Sequence, residues 1–233
     1  MPGRGSNPIL LPIDVPADDE AALTAAFSKR LFLRRKSTLV LEGRPSDQLL
    51  AIVDGVAYRA KMTADGARQI VGIVFSGGLC NLPILFFGSS DHSVETVIDC
   101  QVASAAKADI LDLMQVRPML ATAFAALALA NAASARNWVL NVGRRMARQR
   151  VARFLCEVML ASRLPGSVER CSFPFTQEII ADATGLSIVQ VNRTLRELRA
   201  EGQITLESRV LTIHGWDRLC SDCEFPSSLL RRR

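Results

Sequence analysis

The chain has 233 residues, 49% of them apolar and 22% charged, with a formal net charge of +5. This composition is that of a globular protein of one large or two modest domains, and it excludes an intrinsically disordered chain and a fibre. The opening residues show no basic segment followed by an apolar stretch, so we expect no secretory signal, a cytoplasmic location and six reduced cysteines.

The amino-terminal half predicts a loose tail followed by β-structure. Residues 1–24 contain four prolines and are predicted to be a flexible tail. Short segments rich in β-branched or apolar residues then alternate with glycine turns such as Asp54-Gly55, where glycine supplies the positive φ of a tight turn. This pattern predicts a compact β-roll or sandwich over residues 25–112. The predicted strands are Ser37–Leu41, Gln48–Val53, Val56–Met62, Arg68–Phe75 and Val94–Ala103.

The apolar period becomes helical after residue 108. From Leu120 to Asn141, spacings of four and three residues alternate as in a coiled-coil seam. We predict a dimerisation helix and hinge over residues 113–143; the alternative is a lone helix packed on its own β-domain. Its Ala-rich, uncharged stretch suits a buried helix better than a membrane span. The predicted interface residues are Leu120, Phe124, Leu127, Asn131 and Trp138.

The whole charge surplus lies in the last ninety residues. Residues 144–233 carry 15 Arg, no Lys and 10 acidic residues, whereas the rest of the chain is neutral overall. A basic module favours a nucleic-acid partner, because phosphate contacts supply most of the sequence-independent affinity. The alternative is a solvated arginine-rich face.

The basic module contains the elements of a winged helix-turn-helix, predicted over residues 144–220 with a tail at 221–233. A helix from about Arg144 to Arg163 is followed by a short helix that begins at Thr176 and turns at Gly185. A second helix begins at Ser187 with a capping box, and its polar face suits the DNA major groove. The segments Gln203–Leu206 and Val210–Ile213 predict the wing hairpin.

The stretch from Phe175 to Gly202 resembles the helix-turn-helix of the Crp/Fnr superfamily of bacterial transcription regulators. Asn141–Leu155 resembles the hinge and following helix of that family, and Leu41–Gln48 its first β-roll turn. The resemblance covers about residues 25–220 and implies an α+β fold: an antiparallel, cyclic-nucleotide-binding-like β-roll, a long dimerisation helix and a winged helix-turn-helix. It also implies a homodimer on pseudo-palindromic double-stranded DNA, with RNA polymerase as a further partner and no membrane.

The family's DNA contacts can be carried over onto the helix-turn-helix. The cyclic-AMP-responsive branch has an arginine and a glutamate at Ile188 and Val189, so this protein should read a different half-site. Arg193 is the best candidate to pair with a guanine, Val189 could pack on a thymine methyl, and Gln190 and Asn192 could contact adenine. The predicted DNA-binding residues are Thr176, Gln177, Ser187, Ile188, Val189, Gln190, Asn192, Arg193 and Arg196.

The signal that the β-roll senses is not identified by the sequence. Branches that bind cyclic nucleotides hold the ribose with a Gly-Glu pair and the phosphate with an arginine run. Asn81 and Leu82 replace the former, and Asp91-His92-Ser93-Val94 replaces the latter. Since Asp91 repels a phosphate and His92 lacks the fixed charge of arginine, we expect no tight binding of cyclic AMP.

The cysteines leave a rival function open. No cysteine precedes Cys80, so we expect no iron–sulfur cluster of the oxygen-sensing type. Cys80, His92 and Cys100 are possible effector or redox residues; the alternatives are two buried thiols and a surface histidine, or a haem ligand at His92. The rival is a thiol redox or metal-dependent sensor using Cys80/Cys100 or Cys220/Cys223. No metal site, no required cofactor and no enzymatic activity are expected, because no metal-binding or catalytic motif is present.

Overall fold

The computed structural model describes residues 8–162 and 169–225, and the chain divides into two compact units between Arg136 and Asn137. This boundary precedes the predicted one at residues 143 and 144. Residues 1–7 of the predicted amino-terminal tail, the end of the predicted helix at Arg163 and the predicted carboxy-terminal tail from residue 226 lie outside the described residues.

The first unit consists of two antiparallel sheets with helices, which confirms the predicted antiparallel fold. One sheet has the order β1-β7-β3 and the other β2-β6-β4-β5. Its elements, in chain order, are α1 (Ala17–Ala26), β1 (Lys29–Leu33), β2 (Thr38–Val40), β3 (Gln48–Asp54), β4 (Val56–Met62), β5 (Arg68–Phe75), α2 (Ile84–Phe87), β6 (Ser93–Thr96), β7 (Cys100–Ala106), α3 (Lys107–Val116) and most of α4 (Pro118–Arg144).

Strand β3 is buried on both of its faces because it supplies two separate cores. Alternate side chains of a strand point to opposite faces of the sheet. Leu49 and Ala51 belong to a cluster shared with α1, α3 and α4, whereas Leu50 and Ile52 belong to a cluster between the two sheets. The continuous apolar run of β3 therefore reflects its place between two cores and does not indicate a helix.

The predicted flexible tail is wrong for residues 8–24. The backbone N–H of Leu10 donates to the carbonyl of Gly77 at 2.8 Å, and Ile9 and Leu23 are buried in the first core. Asp19 on α1 forms an ion pair with Arg117 at 2.7 Å. These contacts order the segment because its apolar side chains cover a face of the core that the sheet leaves open. Strand β1 was also missed, and the predicted strand Val94–Ala103 is divided into β6 and β7.

The predicted dimerisation helix is two helices, because the chain breaks at Arg117 before Pro118. Leu120 and Phe124 are 0% and 2% exposed in the core of their own unit, so neither can lie at an interface with a partner. Leu127 packs against the same core, and Asn131 is half-buried. By length and composition α4 could cross a membrane, and only 17% of its most apolar 18-residue stretch is buried. The helix is buried at its first turns and again at Trp138 and Asn141.

The second unit begins with the end of α4 and contains the predicted helix-turn-helix. Gly143, the end of the predicted dimerisation helix and hinge, lies inside α4, which continues to Arg144; a single helical glycine costs only about 1 kcal/mol. The hinge stays a prediction. Trp138, another predicted interface residue, packs edge-on against Phe154 with ring centroids 6.5 Å apart. The elements that follow are α5 (Ala147–Ala161), β8 (Arg170–Ser172), α6 (Gln177–Thr184), α7 (Ile188–Ala200), β9 (Ile204–Glu207), β10 (Val210–Ile213) and α8 (Trp216–Asp222), with sheet order β8-β10-β9.

Two turn glycines provide a test of the β-roll packing. Gly55 has φ +117°, and a Cβ there would lie 2.5 Å from Cys100 Sγ, whereas Gly66 has φ +90° with nothing within 4 Å of such a Cβ. Both alanine variants strain the backbone, but only Gly55→Ala also overpacks the core. We expect urea unfolding to show a loss of about 1 kcal/mol for Gly66→Ala and about 3 kcal/mol for Gly55→Ala. Equal losses would contradict the described contact.

Candidate nucleic-acid interface

Both helices of the helix-turn-helix have side-chain caps at their first turns. Thr176 Oγ1 accepts a hydrogen bond from Ile179 N at 3.3 Å. Ser187 Oγ accepts one from Gln190 N at 3.2 Å, and Gln190 Oε1 accepts one from Ser187 N at 2.9 Å. Gly185 ends α6 with φ 64°. The caps satisfy backbone donors that a helix start leaves unpaired, and they fix the start of α7 at its predicted position.

Helix α7 has one buried and one exposed face. Val191, Thr194, Leu195 and Leu198 are at most 2% exposed. The other face is open, and Val189 is 78% exposed although it is apolar. Of the predicted DNA-binding residues, Gln177 and Asn192 are half-buried and the rest are exposed: Thr176, Ser187, Ile188, Val189, Gln190, Arg193 and Arg196.

Two predicted readers already have partners within the chain. Asn192 Nδ2 donates to Gln177 Oε1 at 3.1 Å, so this amide fixes α7 against α6 and is less available to an adenine than we expected. Arg193 lies 3.8 Å from Glu197 in an exposed i,i+4 ion pair. Such pairs contribute well under 1 kcal/mol, so Arg193 can exchange this partner for a base or a phosphate.

The wing is a hairpin with a two-residue turn. Ser208 and Arg209 have φ of 48° and 60°, the left-handed pair of a type I′ turn, and Glu207 pairs with Val210. The turn is therefore one residue shorter than the predicted Glu207-Ser208-Arg209. It places the exposed side chain of Arg209 at the tip of the hairpin.

Several arginines of the basic module serve the fold and not its surface. Arg148 donates to both carboxylate oxygens of Glu201, at 2.8 and 2.6 Å; this hydrogen bonding raises the pKa of Arg148 and lowers the pKa of Glu201. Arg150 Nη1 donates to the carbonyl of Thr184 at 3.2 Å and so holds the turn after α6. Arg145 and Arg153 are 7% and 6% exposed. Net charge alone could not distinguish these structural arginines from those on α7 and the wing.

The β-roll residue in place of the family's ribose-binding pair has a structural role. Asn81 is fully buried; its Oδ1 accepts from Leu50 N and its Nδ2 donates to the carbonyl of Gln48, both at 2.9 Å. The side chain thus completes the hydrogen bonding of β3 as a neighbouring strand would. A cavity of about 480 Å³ lies beside it, lined in part by Val40, Arg44 and Ser46.

His92 is not the surface residue that the sequence suggested. It is 8% exposed, with Nε2 2.9 Å from the carbonyl oxygen of Cys80 and Nδ1 2.8 Å from Asp91 Oδ1. Burial acts to raise the pKa of Asp91, but the hydrogen bond and charge of His92 outweigh it and hold that pKa below its usual value. With both ring nitrogens engaged inside the chain, His92 offers no nitrogen to a haem iron without rearrangement.

The two β-roll cysteines are protonated in this fold. Burial raises the pKa of Cys80 to about 12 and also raises the pKa of Cys100. A thiol is a weak nucleophile until it ionises. Neither residue therefore has the thiolate character of a redox-active cysteine, whereas Cys220 and Cys223 lie in a different environment, in the second unit.

Comparisons with known proteins agree with this geometry. Residues 30–117 match the family model of the cyclic nucleotide-binding domain, and residues 149–221 match that of the Crp-like helix-turn-helix domain. The nitrogen fixation regulation protein FixK of Bradyrhizobium diazoefficiens is 30% identical over 190 residues, 80% of this chain and 76% of the relative. The transcriptional activator protein FnrL of Cereibacter sphaeroides is 26% identical, over 74% of this chain and 71% of the relative.

A solved structure shares the same fold. FixK2 from Bradyrhizobium japonicum has a TM-score of 0.77 and 23% sequence identity, over 83% of this chain and 96% of that one. The relatives are transcription regulators and not enzymes. On the sequence of its two domains and on its similarity to these regulators, the chain belongs to the Crp/Fnr family of transcription regulators with a DNA-binding helix-turn-helix.

Proposed function

We propose that the protein is a cytoplasmic, homodimeric regulator that reads a pseudo-palindromic DNA site by inserting α7 of each protomer into the major groove. The observation that carries this proposal is the two-faced α7: four residues at most 2% exposed hold one side in the core, and the opposite side is exposed over its whole length. A helix held in this way can enter the groove without losing its own packing. We also propose a contact with RNA polymerase, and this part of the proposal rests only on membership of the family.

The exposed face of α7 suggests a division of roles. Arg193 lies one turn after the exposed first residues of the helix, where base edges come within reach, and its forked donors match guanine O6 and N7. Arg196 lies nearer the end of α7, where a helix leaves the groove and meets the phosphates. The exposed Ile188 and Val189 offer only apolar contacts, such as a thymine methyl.

We infer that a signal other than cyclic AMP acts at the β-roll. The side chain of Asn81 is fully buried and hydrogen-bonded to the backbone of β3, and its amide lacks the negative charge of the glutamate that holds a ribose in the family. Asp91 has a lowered pKa and is therefore ionised at neutral pH, next to the place where a phosphate would bind. These features disfavour the binding of a cyclic nucleotide at both the ribose-binding and the phosphate-binding positions of the family.

The exposed side of α4 is our candidate for the dimer interface, in place of the predicted seam. Met119 and Leu129 are 41% and 71% exposed. With three further residues, they form a line with alternating spacings of three and four on the side of α4 opposite the core. The alanines in this line are small, so two helices can approach closely there. This face consists of the exposed Met119, Thr122, Leu129 and Ala133 and the half-buried Ala126. Continuous burial by a second copy would account for an apolar helix that is mostly exposed in one chain.

The function is tested by selecting bound sequences from a random DNA pool with the purified full-length protein, alone and with cyclic AMP. We expect a twofold-symmetric motif, because each protomer of a homodimer presents an identical α7. Cyclic AMP should leave the affinity for this motif unchanged. A pool that stays random, both alone and after a cell extract is added, would contradict sequence-specific binding; tighter binding with cyclic AMP would contradict the inferred signal.

The division of roles on α7 is tested by two arginine variants measured on the selected site and on random DNA. Arg193→Ala should weaken binding to the selected site by about 1–3 kcal/mol and relax the preference at one base pair. Arg196→Ala should weaken binding to both DNAs about equally and reduce the salt dependence. If the two variants lose equal affinity on both DNAs, the division is wrong.

The interface on α4 is tested by sedimentation of two glutamate variants. Leu129→Glu should yield monomers, since two carboxylates would be buried against apolar side chains. Ala128→Glu is the matched control, because Ala128 is also exposed on α4 but lies on a different side of the helix. A dimer in Leu129→Glu, or a monomer in both variants with intact circular dichroism, would refute this location.

A further inference from the structure

Three of the six cysteines meet in the core of the second unit. Cys156 lies on α5, Cys220 on α8 and Cys223 at the end of α8. The Sγ atom of Cys156 is 4.0 Å from that of Cys220 and 4.0 Å from that of Cys223. All three side chains are at most 1% exposed. The fold thus brings Cys156 into sulfur contact with two cysteines that lie 64 and 67 residues later in the chain, a contact that no spacing in the sequence indicates.

Two buried arginines lie beside this cluster. Arg145 and Arg153 are 7% and 6% exposed. Among the described residues, Arg145 Nε and Nη1 and Arg153 Nε have no hydrogen-bond acceptor, although Arg153 Nε lies 3.4 Å from Glu157. Buried donors of this kind are costly unless an anion is near. Arg145 pairs with Glu224 at 3.2 Å and Arg153 with Glu157, and the positive charges of both arginines also lower the pKa of Cys223.

The pKa values of Cys223 and Cys156 are shifted in opposite directions. The hydrogen bond from Cys156 lowers the pKa of Cys223, and the charges of Arg153 and Arg145 lower it further against the effect of burial. The same contact, together with that to Cys220, raises the pKa of Cys156. Two thiols in contact at 4.0 Å, one of them with a lowered pKa, are the arrangement in which the first, once ionised, attacks an oxidant and the second resolves the product.

We propose that Cys156 and Cys223 form an oxidation site that a hydroperoxide converts into a disulfide within the DNA-binding unit. A metal site is the less favoured use of the same sulfurs, because the described residues contain no group of three His, Cys, Asp or Glu arranged to hold a metal ion. The thiol chemistry stands independently of the proposed function; only its effect on DNA binding rests on it.

The reaction balances with one hydroperoxide per disulfide. The Cys223 thiolate attacks the peroxide, an S–O bond forms and the O–O bond breaks. The leaving hydroxide of hydrogen peroxide, or the alkoxide of an organic hydroperoxide, takes up a proton and departs as water or an alcohol. The Cys156 sulfur then attacks the sulfenic acid, an S–S bond forms, the S–O bond breaks, and one water leaves. Both sulfurs are oxidised by one electron each and the peroxide is reduced by two.

Disulfide formation would act on the recognition helix through α5. The two sulfurs must approach from 4.0 Å to about 2.05 Å, so α5 and the end of α8 must shift or rotate. Helix α5 also carries Arg148, bound to Glu201 after the end of α7, and Arg150, bound to the turn before it. We therefore expect oxidation to reduce the affinity of the protein for its DNA site by a factor of roughly five or more.

The test uses the reduced full-length protein and hydrogen peroxide. After oxidation, unfolding and alkylation, we expect four alkylated cysteines of the six, a mass 2 Da lower before alkylation, and a linked peptide pair containing Cys156 and Cys223. Dithiothreitol should restore six thiols and the DNA affinity. Six alkylated thiols at peroxide levels that oxidise free cysteine, or a zinc ion bound in equimolar amount that protects the thiols, would overturn the proposal.

Alanine variants distinguish the pair from its neighbours. Cys156→Ala and Cys223→Ala should not lose two thiols, and their DNA affinity should not respond to peroxide. Cys220→Ala keeps the proposed pair, and Cys171→Ala removes a buried thiol of the same unit whose pKa is raised to about 12 by burial. Both controls should respond as the unmodified protein does. A disulfide that includes Cys220 would refute the assignment to Cys156 and Cys223. A Cys156–Cys223 disulfide that leaves the DNA affinity unchanged would refute its effect on DNA binding. The number of free thiols can still be measured if the protein does not bind DNA.

Discussion

The packing of helix α5 is the constraint on which the position of the recognition helix depends. Phe154 at its centre meets the rings of Trp138, Phe173 and Phe175 edge-on, with centroids 5.2–6.5 Å apart. Edge-to-face aromatic pairs have a preferred geometry and contribute about 0.5–1.5 kcal/mol each beyond their buried area. They therefore fix the orientation of α5 as well as its depth in the core, and α6, α7 and α8 all pack against it.

The same helix shows why a count of basic residues overstates a nucleic-acid surface. Arg145, Arg148, Arg150 and Arg153 all contribute to the net charge of the basic module, yet each makes hydrogen bonds or ion pairs inside it. A buried guanidinium costs several kcal/mol unless its donors find acceptors. Arg153 lies over the ring of Phe225, 5.1 Å from its centroid, which meets part of this cost. The charge that can face DNA is the smaller set on α7 and the wing.

Local patterns allowed much of this fold to be predicted, and long-range contacts explain the errors. Strands β4 and β5 have the predicted bounds because alternating side chains and glycine turns are local signals, and the caps at Thr176 and Ser187 were predicted for the same reason. The dimer seam was misjudged because periodicity identifies an apolar face but not what covers it. Leu120 and Phe124 turn towards a core that also contains Ile9 and Leu23.

The polar contacts of the site were beyond local inference for a similar reason. Nothing near Asn81 in the sequence shows that its amide completes β3, 31 residues earlier, and nothing near Asn192 shows that it bonds to Gln177. In both cases a side chain that could serve a ligand instead satisfies another protein group. The sequence shows which side chains could bind a ligand. The fold determines which of these side chains are not already bonded to another protein group.

A regulator needs a signal that stabilises one of its conformations more than the other. The β-roll and the DNA-binding unit could each receive such a signal, but by different routes. A ligand of the β-roll would bind in one unit while α7 lies in the other, so it must favour one conformation of the whole protein to affect α7. A disulfide between α5 and the end of α8 would act inside the second unit, on the helix that already holds α7. Its effect on DNA affinity therefore requires no transmission from the β-roll, and the two inputs could act on the same recognition helix independently.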